Sequence, residues 1–409
     1  MSISGVLDVL DRAPLIIRDA IVSVLPEPLQ GIAGAILAAA TVVIVFATIF
    51  ALMTILERKG LARIQNRPGP NRVGIPFTKI RLGGFGQPIA DAVKMILKED
   101  IVPAAADKVL HFIAPVILVT SSLLSLAVIP YGRGLLPVDL EAAIVYFFAA
   151  GAISELAVFA AGWGSHNKYS LVGAMRALAQ MLSYELPLVI AVVPVVMLTG
   201  SLATSTIVDA QGHWSLGGFL PHWNVFKPWG LASFLIFLIA SFAEANRSPF
   251  DLPEGESEII AGHLTEYSGF KYALFFMAEY LGMAALAGLN VTLFLGGWHA
   301  PFAFLEVLPS WFWFFAKLFS ILLFFIWVRG TMPRIRMDQL TRFAWKFMVP
   351  MALCNLANAA FWHLSGGWTS PGGIAARWII SLVIIAAPFL VLSRSLISGI
   401  GPRKYKFAP

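Results

Sequence analysis

Residues 241 to 280 read SFAEANRSPFDLPEGESEIIAGHLTEYSGFKYALFFMAEY. They hold seven acids, Glu244, Asp251, Glu254, Glu256, Glu258, Glu266 and Glu279, against two bases, Arg247 and Lys271. The chain around them is 58% hydrophobic and 13% charged. A carboxylate at the centre of a bilayer costs roughly 2.5–3.5 kcal/mol on insertion scales, so acids kept beside apolar runs point to proton or ion chemistry. Glu254, Glu256 and Glu258 alternate, and an extended backbone aims them to one side. Three neighbouring like charges raise at least one proton affinity unless a cation such as Arg247 compensates. A solvated loop is the plainer alternative for any single acid.

More acids stand inside apolar runs: Glu155, Glu185 in MLSYELPLVI, Glu244, and Glu279 in FFMAEYLG. Such carboxylates suit a proton relay, and a hydrogen bond to a neighbouring helix is the structural alternative. Pro187, two residues after Glu185, frees a backbone carbonyl beside the acid. A second set gathers at the cytoplasmic mouth: Glu57 and Arg58 closing the first apolar run, Arg67 and Asp91 in the connection after it, and Arg247 opening the acidic loop. For Arg58 and Lys59, snorkelling to the membrane surface competes with a binding role. The turn GWGSHNKYSLVGAMR (162–176) either positions a partner or caps two helices. No phosphate loop, dinucleotide fingerprint or HExxH occurs, so nothing here binds NADH or ATP through a known motif.

The elements that carry these residues follow from hydropathy. Mean hydropathy is +0.79, and uncharged runs of membrane-spanning length mark an all-α, polytopic membrane bundle. The run 31–56 measures about 39 Å as a helix, enough to cross a core of about 30 Å with tilt. Further runs at 109–129, 141–162, 175–199, 229–245, 272–296, 310–328, 344–364 and 377–398 bring the expectation to nine spans. Backbone groups in lipid need internal partners, and the period-two pattern of a barrel is missing. Between spans one and two, NRPGPNRVG (66–74) supplies turn chemistry. QPIADAVKMILKE (87–99) then reads as a short amphipathic helix with Asp91, Lys94 and Lys98 on one face. The first 30 residues, interrupted by Asp8, Asp11 and Asp19, suggest a surface-lying helix rather than a signal peptide.

Basic residues concentrate in alternate connections. Arg58, Arg63, Arg67 and Arg72 follow span one, Arg329, Arg334 and Arg336 follow span seven, and Arg403, Lys404 and Lys406 lie in the tail. The positive-inside rule puts the odd-numbered connections and the C-terminus in the cytoplasm. Net charge +6 therefore reflects topology and not nucleic-acid binding. A single cysteine, Cys354, can neither bridge within the chain nor hold an iron–sulfur cluster, and the histidines lack metal-ligand spacing.

Five ordered segments carry a resemblance: ERKGLARIQNRPGPNRVG (57–74), QPIADAVKMILKE (87–99), GWGSHNKYSLVGAMRALAQMLSYE (162–185), AEANRSPFDLPEGESEIIAGHLTEYSGFKYALFFMAEY (243–280) and PRIRMDQLTRFAWKFMVPMAL (333–353). Over about 32–364 the chain resembles the H-type membrane subunit of proton-pumping NADH:quinone oxidoreductase, respiratory complex I. The resemblance implies a quinone chamber bordered by Glu57, Arg58, Arg67, Asp91, Lys94, Arg247, Asp251, Glu254, Glu256 and Glu258. It implies proton coupling through Glu185, Glu244 and Glu279. Quinone is then the substrate, with no flavin or iron–sulfur cluster on this chain. The implied partners are the peripheral-arm subunit carrying the terminal cluster, the adjoining membrane-arm subunits and lipid, in a bacterial cell membrane. Segments 1–30 and 365–409 become an N-terminal extension and an additional helix with a basic tail. Two features depart from the family: His166 stands where an asparagine is usual, and Glu155 aligns with no motif. A membrane subunit of an energy-converting hydrogenase or formate hydrogenlyase is the main alternative, and a stand-alone ion transporter a remoter one.

Overall fold

The computed structural model describes residues 3–74, 78, 83–215, 220–252, 261–368 and 370–398. Helix α1 (Ile3–Val22) precedes α2 (Glu27–Ile64), α3 (Gln87–Leu97), α4 (Lys108–Leu126), α5 (Ala143–Gly164) and α6 (Lys168–Thr199). A short α7 (Thr204–Asp209) leads to paired strands β1 (Trp214–Ser215) and β2 (Leu220–Pro221), then to α8 (Pro228–Glu244) and α9 (Gly269–Phe294). Helices α10 (Ser310–Thr331), α11 (Met337–Gly367) and α12 (Pro371–Ser398) complete the order. Among the described residues eight helices are long and apolar enough to cross a membrane, and α8, also apolar, is shorter at 17 residues.

Local chemistry sets several helix ends. The Asp107 carboxylate accepts from Val109 N at 2.9 Å and Leu110 N at 3.3 Å, and Asn167 Oδ1 accepts from Tyr169 N at 2.9 Å. These side chains satisfy donors that the first helical turn leaves open. At the far end of α6, Gly200 adopts φ +69°, the left-handed turn a helix stop favours. The carbonyls ending α9 converge on Lys317, whose Nζ donates to Leu295 O at 2.6 Å, Gly297 O at 2.9 Å and His299 O at 2.6 Å.

The core lies where α6, α8 and α9 meet, with α4, α5, α10 and α11 packed around them. Ala284, Ala285, Ala287 and Gly288 keep one stretch of α9 thin, so neighbouring helices approach closely. The lipid-facing helices instead expose apolar residues, such as Ile379, Leu382 and Val391 on α12. The ends of α2 and α10 that carry Arg58 and Arg329 share one side of the bundle, the basic face. There the segment Gly262–Leu264 wedges against α5 and α6. A Cβ on Gly173 would stand 2.5 Å from Gly262 Cα, so only glycine allows this approach. Gly173→Val is expected to cost about 1–3 kcal/mol by overpacking, read as a lower unfolding temperature of the purified assembly.

Candidate functional site

Glutamine 180 on α6 organises the start of the acidic connection. Its Nε2 donates to Ala243 O and Phe250 O, both at 2.7 Å, and to Asn246 Oδ1 at 3.2 Å. Asn246 takes φ +48°, turning the chain sharply as α8 ends. That turn drives Arg247 inward, where it is 4% exposed. Arg247 Nη1 meets Glu57 Oε1 at 3.3 Å, and its Nε meets Glu279 Oε1 at 3.0 Å. Its guanidinium also lies 4.3 Å from the Tyr280 ring centroid. The Tyr280 hydroxyl donates to Glu57 Oε2, and Arg329 Nη1 pairs with Glu57 Oε1.

Two acids and two guanidiniums thus share a buried site drawn from α2, α9, α10 and the start of the acidic connection. Burying charges in low dielectric is tolerable only when they are paired and hydrogen-bonded, and this group balances formally. Glu57, Arg247 and Glu279 stand out in the sequence. Tyr280 and Arg329 do not: the first reads as an aromatic beside an acid, the second as a topology signal.

Glu279 also borders a cavity of about 120 Å³. Glu185 from α6 and Glu244 from α8 line the same space, with Ser121, Ser122, Asn246 and His263. One water needs about 10–15 Å³ of such volume, so the space admits several. Glu244 is close enough to Glu185 and Glu155 for their charges to interact. One oxygen each of Glu155 and Glu244 is buried without a hydrogen-bond partner among the described residues. Glu155 stands among the acids in apolar runs but matches no motif of the resembled family, and His263, a histidine in a polar loop, gives no linear sign that it turns into a cavity. His263 lies outside the spans, and burial pushes its pKa down to about 4.

The remaining residues occupy the basic face. Asp91 accepts from Arg58 Nη1 at 2.6 Å and from Gln87 Nε2 at 3.1 Å. Lys94 is mostly exposed, 3.9 Å from Asp91. Arg58 and Arg67 border an open cleft of about 480 Å³ with Pro68, Gly69, Pro70 and Gln87. Gly84, at φ +88°, lets the loop pass so near Pro70 that a Cβ would fall 2.0 Å from its carbonyl oxygen. Helix α3 turns Gln87 and Asp91 toward this cleft and leaves Ile89, Val93 and Ile96 exposed on its opposite face. Asp251 receives Arg334 Nη2 on its backbone carbonyl. Glu254, Glu256 and Glu258 lie outside the described residues. In the turn before α6, Asn167 Nδ2 donates to Glu266 Oε1 at 2.5 Å, and His166 takes φ +49°.

The sequence model of the family described as NADH dehydrogenase matches residues 37–360. A protein of Dehalococcoides mccartyi strain CBDB1, named as the H subunit of NADH-quinone oxidoreductase, is 47% identical over 306 residues, covering 75% of this chain and 80% of the relative. A protein of the same name from Syntrophotalea carbinolica is 44% identical over 329 residues, covering 78% of this chain and 93% of the relative.

Proposed function

The chain belongs to the NADH dehydrogenase family, and from that membership we propose that it couples quinone reduction to proton movement through the buried charges just described. It is a membrane subunit of NADH-quinone oxidoreductase and acts within that assembly. The observation that carries the coupling reading is Glu279. One carboxylate pairs with Arg247, which reaches Glu57, and also borders the cavity shared with Glu185 and Glu244.

In this reading the basic face is cytoplasmic. A quinone headgroup approaches past Arg58, Arg67, Asp91 and Lys94, and its isoprenoid tail runs along apolar surface that includes the exposed residues of α3. The acidic connection, with Asp251, Glu254, Glu256 and Glu258, borders the chamber. Reduction takes two electrons from an iron–sulfur centre of a partner subunit and two protons, giving the quinol. Charge changes weigh more in a low-dielectric site than in water. Loss of protons from the chamber alters the balance around Arg247, and the change passes through Glu279 to Glu244 and Glu185. From there it reaches the adjoining membrane-arm subunits. Helix α1 lies at the membrane surface on the opposite face, and α12 adds a lipid-facing span beyond the chamber domain.

Glu185→Gln tests the cavity half of this path. It keeps the side chain's size and removes its charge. The assembled complex is expected to lose about tenfold in coupled NADH–quinone turnover, since a positioned proton carrier contributes at least that much. Proton uptake into vesicles should fall in proportion. Wild-type turnover and pumping in this variant would remove the cavity from the path.

A further inference from the structure

From the same cavity we infer that His263 is a proton-transfer residue, the group through which the glutamate-lined space exchanges protons with the basic face. This rests on the relay reading above. The segment Gly262–Leu264 lies between α8 and α9, outside the spans, and is wedged against α5 and α6 by the Gly173–Gly262 contact. That placement brings the imidazole to the cavity lining, in the same space as Glu244, Glu185 and Glu279. The residue is 7% exposed, and its Nδ1 has no hydrogen-bond partner among the described residues. A buried, unsatisfied ring nitrogen costs stability unless something arrives to meet it. The cavity, walled largely by apolar side chains but holding three carboxylates, has room for a water that could meet it.

The surroundings give the imidazole a direction. Towards the membrane interior it shares the cavity with Glu185 of α6, Glu244 of α8 and Glu279 of α9, and α5 contributes Glu155 behind them. Towards the basic face it meets rings and hydroxyls: Phe275 at 5.8 Å between centroids, then Tyr267 at 4.7 Å from Phe275, then His111 stacked on Tyr267 at 4.1 Å. Ser170 donates to the His263 carbonyl at 3.3 Å, which fixes the backbone. His111 and Tyr267 also titrate, but of these groups only His263 both lines the carboxylates' cavity and belongs to the loop at the basic face.

The step is a proton transfer alone. Neutral imidazole takes one proton from a hydronium that reaches it from the basic face, which is left as water, and becomes imidazolium. It passes one proton to a cavity carboxylate and returns to neutral; nothing is oxidised or reduced. Burial keeps the resting ring neutral near pH 7, so the cation is transient and the ring does not trap the proton it carries.

The test uses the complete complex in inverted membrane vesicles, with His263→Gln, His263→Phe and Glu185→Gln compared. His263→Gln preserves polarity and His263→Phe preserves the ring; both remove the titrating group. Both are expected to reduce coupled turnover near neutral pH by about tenfold, to steepen its fall as pH rises and protons become scarce, and to recover in part with added imidazole. Assembly, judged by the amount of intact complex, should stay near wild type for the glutamine variant. A glutamine variant with the wild-type rate and pH profile overturns the inference. If Glu185→Gln is impaired while His263→Gln is not, the relay stands and His263 is only core. If neither is impaired, the relay reading fails with it.

Discussion

Replacing Arg247 with leucine is expected to remove most of the assembled, active complex from the membrane. The guanidinium is bonded to Glu57 and Glu279 at once, from a position 4% exposed. Removing one partner of a buried ion pair costs about 3–5 kcal/mol, a large share of a typical net stability of about 5–15 kcal/mol. Glu57 keeps Arg329 and Tyr280, so the loss falls mainly on the link to Glu279. Arg247→Lys separates charge from geometry. It restores a cation, but a lysine lacks the planar fork that serves two carboxylates together, and intermediate stability is expected. Adding Glu279→Gln to Arg247→Leu should recover part of the lost assembly, because the acid no longer needs a counter-charge. Contacting residues commonly couple by about 0.5–3 kcal/mol. Native-gel abundance and unfolding temperature read all four forms. Wild-type assembly in Arg247→Leu would show that the cluster carries no structural charge balance.

Much of this architecture is legible without coordinates, because lipid sets a length and a composition that few segments meet. Each apolar run expected from the sequence corresponds to a helix, with two instructive differences. The run 31–56 belongs to a helix reaching from Glu27 to Ile64: hydropathy marks where lipid ends, while Arg58 and Arg63 carry the helix onward into water. The run 229–245 is the 17-residue α8. It passes as a span by hydropathy yet is shorter than the others, since α6 and α9 surround much of it and lipid thickness does not fix its length. The widened turn at Ala344–Met348 inside α11 leaves no trace in the apolar spacing.

The site is legible in its acids and in Arg247, and not in the other two groups that meet Glu57. Glu57, Glu185, Glu244 and Glu279 announce themselves by the cost of a carboxylate beside oil. Arg329 does not: an arginine ending a span is what topology requires anyway, and it lies 272 residues from Glu57. Tyr280 lies 223 residues from the same acid, and its hydroxyl donor matters only once α2 and α9 are side by side. The separation into a cleft near Arg58 and Arg67 and a second, half-open cavity near Glu185 is likewise a property of packing. Sequence places both sets beside spans and cannot say which share a space.

The second large effect is expected at Glu279, the carboxylate common to the buried charge cluster and the cavity. Glu279→Gln keeps an oxygen that can accept from Arg247 Nε but leaves two guanidiniums to share Glu57, so assembly should fall, though less than in Arg247→Leu, and turnover is read per assembled complex. The charge is gone, and with it a carrier able to hold a proton between Arg247 and Glu244. Coupled quinone reduction is expected to fall by about a hundredfold, the lower range for a positioned proton-transfer group. Glu279→Asp keeps the acid but draws it back from Arg247 by one methylene, and partial activity should return. The contrast between the two variants isolates ionisation from shape. If turnover and proton uptake in the glutamine variant match wild type while the aspartate variant is impaired, Glu279 serves packing against Arg247, and protons bypass it on the way to Glu244 and Glu185.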